Sequence, residues 1–563
     1  MMGLDVKILF FIVATLSVCV YVAVSSNNRQ KKKILNKITK GWGRHPQNKY
    51  SSEEFENISH YFRRTCNGHS IDDITWNDLG MDEIFKLVNN TYSSVGQEYL
   101  YRTLRQPDSD MDKLKKMDVL AEEFTANEKE RIEVQKVYNW IGRVKHISVS
   151  DYMDIVVDMD KRGNLVHYLA LLFLVSSILF TALINPVIGI WLCIASVAFS
   201  VITYYRYKAA VEKYFVCVNY LIKLLSGAKK ISKLKYEFLK DYSSELDRIN
   251  DAFSEISKNA GVIESGNIDG SIGEMLLDYV RMLTHIDLIK FNNMASKLKN
   301  KDELVYRLID ILGFIESSIA VASFRVMLEN WCKPKFKDRG NTTFEVEDVY
   351  HPLIEKPVAN SIAVRKHILL TGSNASGKST FLKTIAVNAI LSQTIYTSVS
   401  KKYVAPRYRI YSSMALRDDL GSSSSYYIVE IKSLKRILDA ISSDGMPVLC
   451  FVDEVLRGTN TVERIAASSE ILKSIDNKKA VCFAATHDVE LTTLLMPGYE
   501  NYHFQEEVTE DEVLFNFILY KGPATTRNAI KLLKTVGYDY SIIAAAQRQA
   551  SYFLDKGMWN VDN

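Results

Sequence analysis

A glycine-rich loop directly after an apolar run constrains the fold of this chain more than any other feature. The run at 368–370 leads into the pattern GxxxxGKS at 372–379, within ILLTGSNASGKSTFLKT. This order is typical of a strand, a loop whose backbone N–H groups cradle phosphate, and a helix that points its positive N-terminus at the same phosphate. The pattern therefore predicts an α/β domain of the P-loop nucleotide-binding type.

The side chains of this loop predict how ATP and Mg²⁺ would be held. Lys378 would neutralise charge on the β- and γ-phosphates, and the hydroxyl of Ser379 would bind Mg²⁺. Glycines let the backbone curl, so that its N–H groups point inward. The ATP-binding residues predicted from this loop are Gly372, Ser373, Asn374, Ala375, Ser376, Gly377, Lys378, Ser379 and Thr380.

Two later apolar runs end in residues suited to hydrolysis. PVLCFVDEVLRGTNT contains a run that ends in Asp453 and Glu454, and the run in AVCFAATHDVELTTLL ends beside His487. An aspartate beside a P-loop holds Mg²⁺, the next glutamate can polarise the attacking water, and the histidine can sense or orient the γ-phosphate. A solvated acidic pair and a structural histidine are the alternatives. The predicted catalytic residues are Glu454, His487 and Lys378. The predicted metal ligands are Ser379 and Asp453.

The remaining sequence divides into regions that differ in their predicted secondary structure. Residues 30–165 and 206–335 are predicted to be helical, and from about 340 to 563 short β-like runs alternate with helices, which is typical of an α/β domain. Apolar residues at steps of three and four from Ile231 to Ile256 predict one long helix, either an ordinary amphipathic helix or a coiled-coil strand. The net charge of +4 excludes a bulk polycation for nucleic acid, and seven scattered cysteines argue against a disulfide framework or zinc site.

Three apolar stretches are long enough to cross a membrane. The first, at 8–25, is followed by basic residues, and the second and third form a hairpin at 167–205 with Asn185 and Pro186 at its centre. The positive flanks predict a multi-pass protein of the cell membrane with its ATPase domain in the cytoplasm. A cleaved signal peptide is the alternative for the first stretch, and a buried soluble hairpin is the alternative for the other two.

Several stretches resemble the MutS family of DNA mismatch-repair ATPases, which are relatives of the ABC ATPases. In family order and spacing these are YHPLIE (350–355), TGSNASGKST, RDDLGSSSSYYIVEI, FVDEVLRGTNT and ATHDVELTTL. Residues 71–107 resemble the start of the family's core domain, and about 522–555 resemble its C-terminal helix-turn-helix. The resemblance implies an α/β P-loop NTPase domain of the ABC/MutS type, and an all-α MutS core-like domain interrupted by the transmembrane hairpin.

The resemblance also implies how the site would be completed. Two ATP sites would form in a homodimer, each with a P-loop from one chain and a signature serine from the other, and here that serine is Ser425. The YHPLIE stretch adds His351 and Pro352 to the ATP-binding residues. Duplex DNA, mismatched or not, is the partner that the family implies.

Departures from the family pattern leave the function open. The sequence has no room for the N-terminal mismatch-reading domain, and the apolar hairpin occurs where the family's helices would extend towards a DNA clamp. A membrane-tethered, ATP-driven conformational switch for a protein partner is therefore the main alternative to DNA binding. Transport of the ABC type is disfavoured, because three spans are few and no LSGGQ-like sequence occurs.

Overall fold

The computed structural model describes most of the chain. The described ranges are 25–26, 28–107, 110–144, 147–152, 163–254, 272–298, 301–338, 343–373, 376–414, 426–456, 459–475, 479–508, 513–524, 530, 533 and 537–560. The predicted first span at 8–25 lies outside them except for its last residue, as do much of 522–539 and three predicted site residues, namely Asn374, Ala375 and Ser425.

The chain forms two compact units that alternate along the sequence. The first, here called the helical unit, comprises Met1–Cys66, Asn89–Arg102 and Val119–Val326. The second, here called the α/β unit, comprises Asn67–Val88, Thr103–Asp118 and Met327–Asn563. Two segments of the α/β unit therefore come from the stretch for which the sequence predicted a single helical domain.

The structure before residue 330 is helical. After helical residues 28–41, the helices are α1 (Ser52–Thr65), α2 (Asp73–Asp78), α3 (Met81–Val88), α4 (Ser94–Arg105), α5 (Met111–Ala126), α6 (Glu128–Ile141), α7 (Leu165–Leu183), α8 (Pro186–Ser232), α9 (Lys240–Ala252), α10 (Ile272–Thr284), α11 (Ile286–Leu298) and α12 (Asp302–Met327).

Helices α7 and α8 form the apolar hairpin that the sequence predicted. Asn185 begins α8 by accepting hydrogen bonds from the N–H groups of Val187 and Ile188, and proline occupies the first helical position, where no N–H is needed. Leu165–Leu183 and Pro186–Glu212 are long and apolar enough to cross a membrane, and only 17% and 22% of an apolar 18-residue window in each is buried. Most of their apolar surface is thus left for an environment outside the chain.

The two helices of the hairpin approach each other closely at small and polar residues. A Cβ added to Gly189 would lie 2.5 Å from the Cα of Thr181, so this crossing requires glycine. The hydroxyls of Ser177 and Ser196 are 3.0 Å apart, within hydrogen-bonding distance. Small residues and hydroxyl pairs of this kind stabilise helix contacts where water is absent.

The apolar stripe from Ile231 to Ile256 does not form the single long helix that the sequence predicted. Helix α8 ends at Ser232, Lys235 has a left-handed backbone with φ of 52°, and a 3₁₀ turn precedes α9. The turn lets α9 pack against α8, which buries stripe residues such as Leu239 and Leu246 within the same unit. Burial of the stripe against the preceding helix replaces a continuous helix or coiled coil.

A buried carboxyl fixes the start of α4 in the helical unit. Glu316 of α12 accepts hydrogen bonds from the N–H groups of Tyr92 at 2.5 Å and Ser93 at 3.1 Å, and from the Ser93 hydroxyl. A Cβ on Gly96 would collide with the Glu316 side chain. Burial raises the pKa of Glu316 to about 7, while these hydrogen bonds oppose the rise. The glycine and the carboxyl therefore depend on each other.

The α/β unit contributes all the strands of the described structure. In chain order its later elements are β1 (Lys335–Phe336), β2 (Phe344–Val349), β3 (Asn360–Val364), β4 (His367–Thr371), α13 (Lys378–Ile395), β5 (Lys402–Ala405), β6 (Arg409–Ser413), α14 (Tyr426–Ser442), β7 (Val448–Asp453), α15 (Thr461–Ser474), β8 (Ala480–Ala485), α16 (Glu490–Leu494), β9 (Tyr499–His503), β10 (Glu506–Val508), β11 (Val513–Phe515), β12 (Tyr520–Lys521) and α17 (Tyr540–Lys556).

A mainly parallel sheet forms the centre of this unit. Its order is β12-β9-β4-β8-β7-β6, with only the edge strand β12 antiparallel, and a second sheet has the order β1-β5-β2-β3. Strands β4 and β8 are buried along their whole length, as expected for parallel strands with both faces covered. The predicted α/β architecture from about residue 340 is confirmed at this level.

Helix α2 is held within the α/β unit by buried and partly buried hydrogen bonds. Asp78 accepts from the Ser412 hydroxyl at 2.7 Å and from the Met414 N–H at 3.0 Å, and the Thr75 hydroxyl accepts from the Ser412 N–H at 3.1 Å. Asp72, just before α2, forms an ion pair with Arg436 of α14. Segment 67–88 therefore supports the end of β6 and the helix that follows it.

Candidate functional site

The predicted phosphate-binding loop leaves the carboxyl end of β4. Gly372 and Gly377 have φ of 142° and 109°, which lie in the region that favours glycine. A Cβ on Gly372 would lie 2.5 Å from the carbonyl oxygen of Phe504, so the backbone of a neighbouring segment also excludes other residues there. Helix α13 then begins at Lys378, so strand, loop and helix follow in the order that the sequence predicted.

Lys378 is folded over the loop. Its side chain is buried, and Nζ donates to the carbonyl oxygens of Gly372 at 2.8 Å and Ser373 at 2.7 Å. The Ser373 hydroxyl donates to the buried carboxylate of Glu506 at 2.7 Å. Ser376 of the loop is buried, whereas Ser379 and Thr380 in the first turn of α13 are exposed. The loop thus presents an ammonium group and accessible hydroxyls at one helix N-terminus.

Strand register brings the other predicted residues to the same edge of the sheet. Ala485 at the end of β8 pairs with Leu370 of β4 on one side and with Asp453 of β7 on the other. The carboxyl ends of three adjacent parallel strands therefore meet here, where ligands of open α/β sheets commonly bind. Asp453 is half-buried at this edge.

Glu454 and His487 are in direct contact, which the sequence did not predict. Glu454 Oε1 lies 2.7 Å from His487 Nε2, and the Glu454 N–H donates to the Ala485 carbonyl at 2.9 Å. Glu454 has φ of 58°, a left-handed conformation that costs a non-glycine residue about 1–3 kcal/mol. A backbone held in this conformation directs the carboxylate to the histidine, so the two residues act as one polar group.

One hydrogen bond and one ion pair hold the segments that follow Glu454 and His487. Glu430 of α14 accepts from the N–H of Leu456, which also has a left-handed backbone with φ of 59°. Arg464 of α15 donates to both carboxylate oxygens of Asp488, at 2.9 and 2.6 Å. Sequence reasoning missed these supports, although Asp488 directly follows His487 and Glu430 belongs to the stretch that resembles the MutS signature.

A cavity of about 250 Å³ adjoins the loop and contains His351. Burial, with a smaller effect of Lys383, lowers the pKa of His351 to about 4, so this imidazole is neutral near pH 7. Pro352 is half-buried next to it but does not line the cavity. The remaining walls mix aliphatic, aromatic and polar residues, and include Gly377, Thr380, Phe381, Phe504 and Phe517.

Comparison with known proteins identifies the family. A family model described as MutS domain V matches residues 368–553, which contain the loop, both strand-end motifs and α17. Residues 368–553 of the chain are thus identified as a MutS-family domain. The resemblance noted in the sequence is therefore confirmed.

Curated members of the MutS family match this chain at moderate identity. MutS protein homolog 4 from Homo sapiens is 28% identical over 302 residues, which is 50% of this chain and 31% of that protein. DNA mismatch repair protein MutS from Thermus aquaticus is 26% identical over 262 residues, 46% of this chain and 31% of that protein. The chain thus spans about a third of the length of the curated relatives that it matches.

Proposed function

We propose that this MutS-family chain binds and hydrolyses ATP at the carboxyl edge of the β4-β8-β7 sheet. The observation that carries the proposal is the contact between Glu454 and His487 beside the loop that begins at Gly372. A carboxylate oriented by a histidine, next to a helix N-terminus with a lysine, matches the needs of phosphoryl transfer to water.

The residues of the loop have distinct roles in this proposal. Lys378 exchanges its bonds to the Gly372 and Ser373 carbonyls for bonds to the β- and γ-phosphate oxygens. Glu454 accepts the proton of the attacking water, and His487 holds the carboxylate in position through their 2.7 Å contact. The cavity that contains the neutral His351 and the rings of Phe504 and Phe517 takes the adenine ring, because stacking and a neutral imidazole suit an uncharged base.

The residues at this edge also fit Mg²⁺. Ser379 offers an exposed hydroxyl at the first turn of α13, and Asp453 offers a half-buried carboxylate at the end of β7. Among the described residues no group of three or more His, Cys, Asp or Glu forms a metal site, so the remaining ligands would be water and phosphate oxygens, as Mg²⁺ prefers. When bound, the ion would neutralise charge on the β- and γ-phosphates.

The same proposal extends to assembly and partners. The chain works as a homodimer in which Ser425 reaches the γ-phosphate of the other subunit, and ATP-driven closure acts on duplex DNA at the cytoplasmic face of a membrane. Support comes from the family, from the position of α14 directly after Ser425, and from the exposed apolar surface of α7 and α8. The mismatch-repair relatives make DNA the first partner to test, and a protein partner is the second.

The ATPase proposal is tested with three variants of the detergent-solubilised chain. Glu454→Ala should keep ATP binding but lower turnover by about 10²- to 10⁴-fold, the range of general-base catalysis. Lys378→Ala should lose ATP binding, and Glu500→Ala, which removes a partly exposed carboxylate from β9, should change neither. Wild-type turnover by Glu454→Ala would contradict the assignment.

The partner is tested with the same hydrolysis-deficient variant. Glu454→Ala should stay closed with ATP, so its recovery from membranes should retain the partner. Duplex DNA that dissociates steeply with salt supports the DNA role. Recovery of one protein without DNA supports the conformational switch instead.

A further inference from the structure

Residues 28–50 of the helical unit carry many positive charges and no negative charge. The next acidic residue along the chain is Glu53. The cations of this segment are all exposed, and they are Arg29, Lys31, Lys32, Lys33, Lys37, Lys40, Arg44 and Lys49. None of them lies in the proposed ATP site, so their charge is available for another contact.

The two ends of the helix formed by residues 28–41 have different surroundings. Near its C-terminal end Ile38 is buried, and the Gly41 carbonyl accepts a hydrogen bond from the Asn90 side chain at 3.0 Å. At its start, residues 28–33 are all exposed. The C-terminal end is therefore fixed to the rest of the helical unit, while the side chains at the start are accessible to another surface.

The basic cluster is defined here as the four cations at the start of this helix, Arg29, Lys31, Lys32 and Lys33. Within the part of the chain that the structure describes, none of them has an ion-pair partner. Exposed lysines elsewhere are often paired one turn away, as Lys136 is with Glu133 at 2.7 Å. Arg29 instead has lysines three and four residues later, where like charges repel. A negatively charged surface would relieve this repulsion.

The basic cluster follows the predicted first span closely. That span ends at residue 25, three residues before this helix begins. The headgroup layer of a bilayer extends about 5–8 Å beyond its hydrocarbon core, so the helix starts at the level of the headgroups. At about 1.5 Å per residue, Lys31 to Lys33 lie about 5–8 Å along the helix from residue 28, and Lys40 lies about 18 Å along it. Charges act over about 8 Å at physiological salt, so only the basic cluster is in range of the headgroups.

We propose that the basic cluster binds the anionic headgroups of phospholipids in the cytoplasmic leaflet of the membrane. This proposal rests on the membrane anchoring proposed above, and it adds the class of lipid. Each cation close to an anionic membrane surface strengthens the attraction about fivefold. Duplex DNA fits the cluster less well, because DNA binding requires a basic track along many phosphates, whereas these cations lie within two helical turns. Since the other end of the helix is fixed to the helical unit, headgroup binding holds that unit at the membrane surface.

Lipid titration of the full-length chain in an uncharged detergent tests this proposal. The chain carries Lys378→Ala throughout, so that phosphate binding at the loop does not contribute. The probes are dioctanoyl phosphatidylglycerol, which has one negative charge, and dioctanoyl phosphatidylcholine, which has no net charge, and thermophoresis measures their binding. We expect the anionic lipid to bind at least about fivefold more tightly, the effect of one cation. This preference should decrease between about 50 and 500 mM salt, because salt screens exposed charges.

Two matched double variants locate the site. Lys32→Gln/Lys33→Gln removes two charges from the basic cluster, and it should lower the affinity for phosphatidylglycerol at least about fivefold without changing that for phosphatidylcholine. Lys40→Gln/Arg44→Gln removes the same charge from exposed positions further along the chain, and it should change neither affinity. All four side chains are exposed, so both variants should keep the fold, which circular dichroism checks.

Three outcomes would overturn the proposal. One is equal affinity of the chain for the two lipids, and another is an equal loss of affinity in the two double variants. The third is salt-sensitive binding of duplex DNA that Lys32→Gln/Lys33→Gln abolishes, without a lipid preference, which would assign the cluster to nucleic acid. Flotation after reconstitution separates these outcomes from a failure of membrane anchoring. A chain that does not float with phosphatidylcholine vesicles lacks the anchor, and both proposals then fail, whereas a chain that floats but shows no lipid preference contradicts this proposal alone.

Discussion

Replacement of Gly372 by alanine tests the shape of the predicted phosphate loop. The backbone there has φ of 142°, and a Cβ would lie 2.5 Å from the Phe504 carbonyl oxygen, whereas ordinary contact begins at 3.4 Å. The conformation alone costs about 1–3 kcal/mol, and displacement of a backbone carbonyl adds to it. We expect Gly372→Ala to destabilise the phosphate-binding conformation of the loop by about 2–4 kcal/mol in total.

This cost should appear as weaker ATP binding. If the loop relaxes in the free chain but must return to its glycine shape around phosphate, 2–4 kcal/mol corresponds to about 30-fold to several hundred-fold in affinity. Equilibrium binding of a fluorescent ATP analogue to the detergent-solubilised chain measures it. Circular dichroism checks that the variant retains its fold.

Two other glycines of the same unit are matched controls. Gly377 also has a positive φ, but its nearest neighbour is a side-chain atom of Phe517 at 3.2 Å, which can move. Gly522 has φ of 102° and nothing within 4 Å of the added Cβ, so Gly522→Ala bears conformational strain alone. We expect the loss of affinity to fall in the order Gly372, Gly377, Gly522. Equal affinity in the Gly372 and Gly522 variants would refute the reasoning.

Three further outcomes follow from the structure. Ser425→Ala should spare ATP binding but slow turnover and weaken ATP-dependent dimerisation, measured by light scattering with and without ATP. Asp78→Ala should lower stability by about 1–3 kcal/mol, because it leaves the buried Ser412 hydroxyl and the half-buried Met414 N–H without their acceptor, and hydrogen exchange there should rise. Burial raises the pKa of Glu316 from 4.5 to about 7, so the folded chain binds its proton more tightly, and the stability present below pH 4.5 is lost as the pH rises through 7. That loss is about 3 kcal/mol, and Glu316→Gln should remove it in unfolding midpoints compared at about pH 5 and about pH 8.

The parts of the site that sequence could predict are local. The loop at 372–379 and the strands that end at Asp453 and Ala485 each carry their signal within about ten residues, through apolar runs followed by glycine or acidic residues. Their meeting at one edge follows from parallel strand order, which the family resemblance implied. The resemblance of residues 368–553 to the MutS family and the α/β region are accordingly confirmed.

The contact between Glu454 and His487 could not be predicted from the sequence, because it depends on a left-handed residue at a strand end and on the register of β7 with β8. Hydrophobic periodicity also does not show where a helix turns back on itself, so the stripe after Ile231 was predicted as one helix although it breaks at Lys235. The hydrogen bonds between α2 and β6 join residues far apart in the chain, and no local pattern encodes them.

The assignment of α2 to the α/β unit has a consequence for synthesis of the chain on the ribosome. Asp78 and its partner Ser412 are 334 residues apart. At about 5–20 residues per second, Ser412 is made roughly 17–67 s after Asp78. During that interval Asp78 has neither Ser412 nor Met414 to bind, and the unit that holds the proposed ATP site cannot be completed by its own C-terminal residues alone. A fragment that begins near residue 340 would lack this early segment, so it should fold less stably than the whole chain.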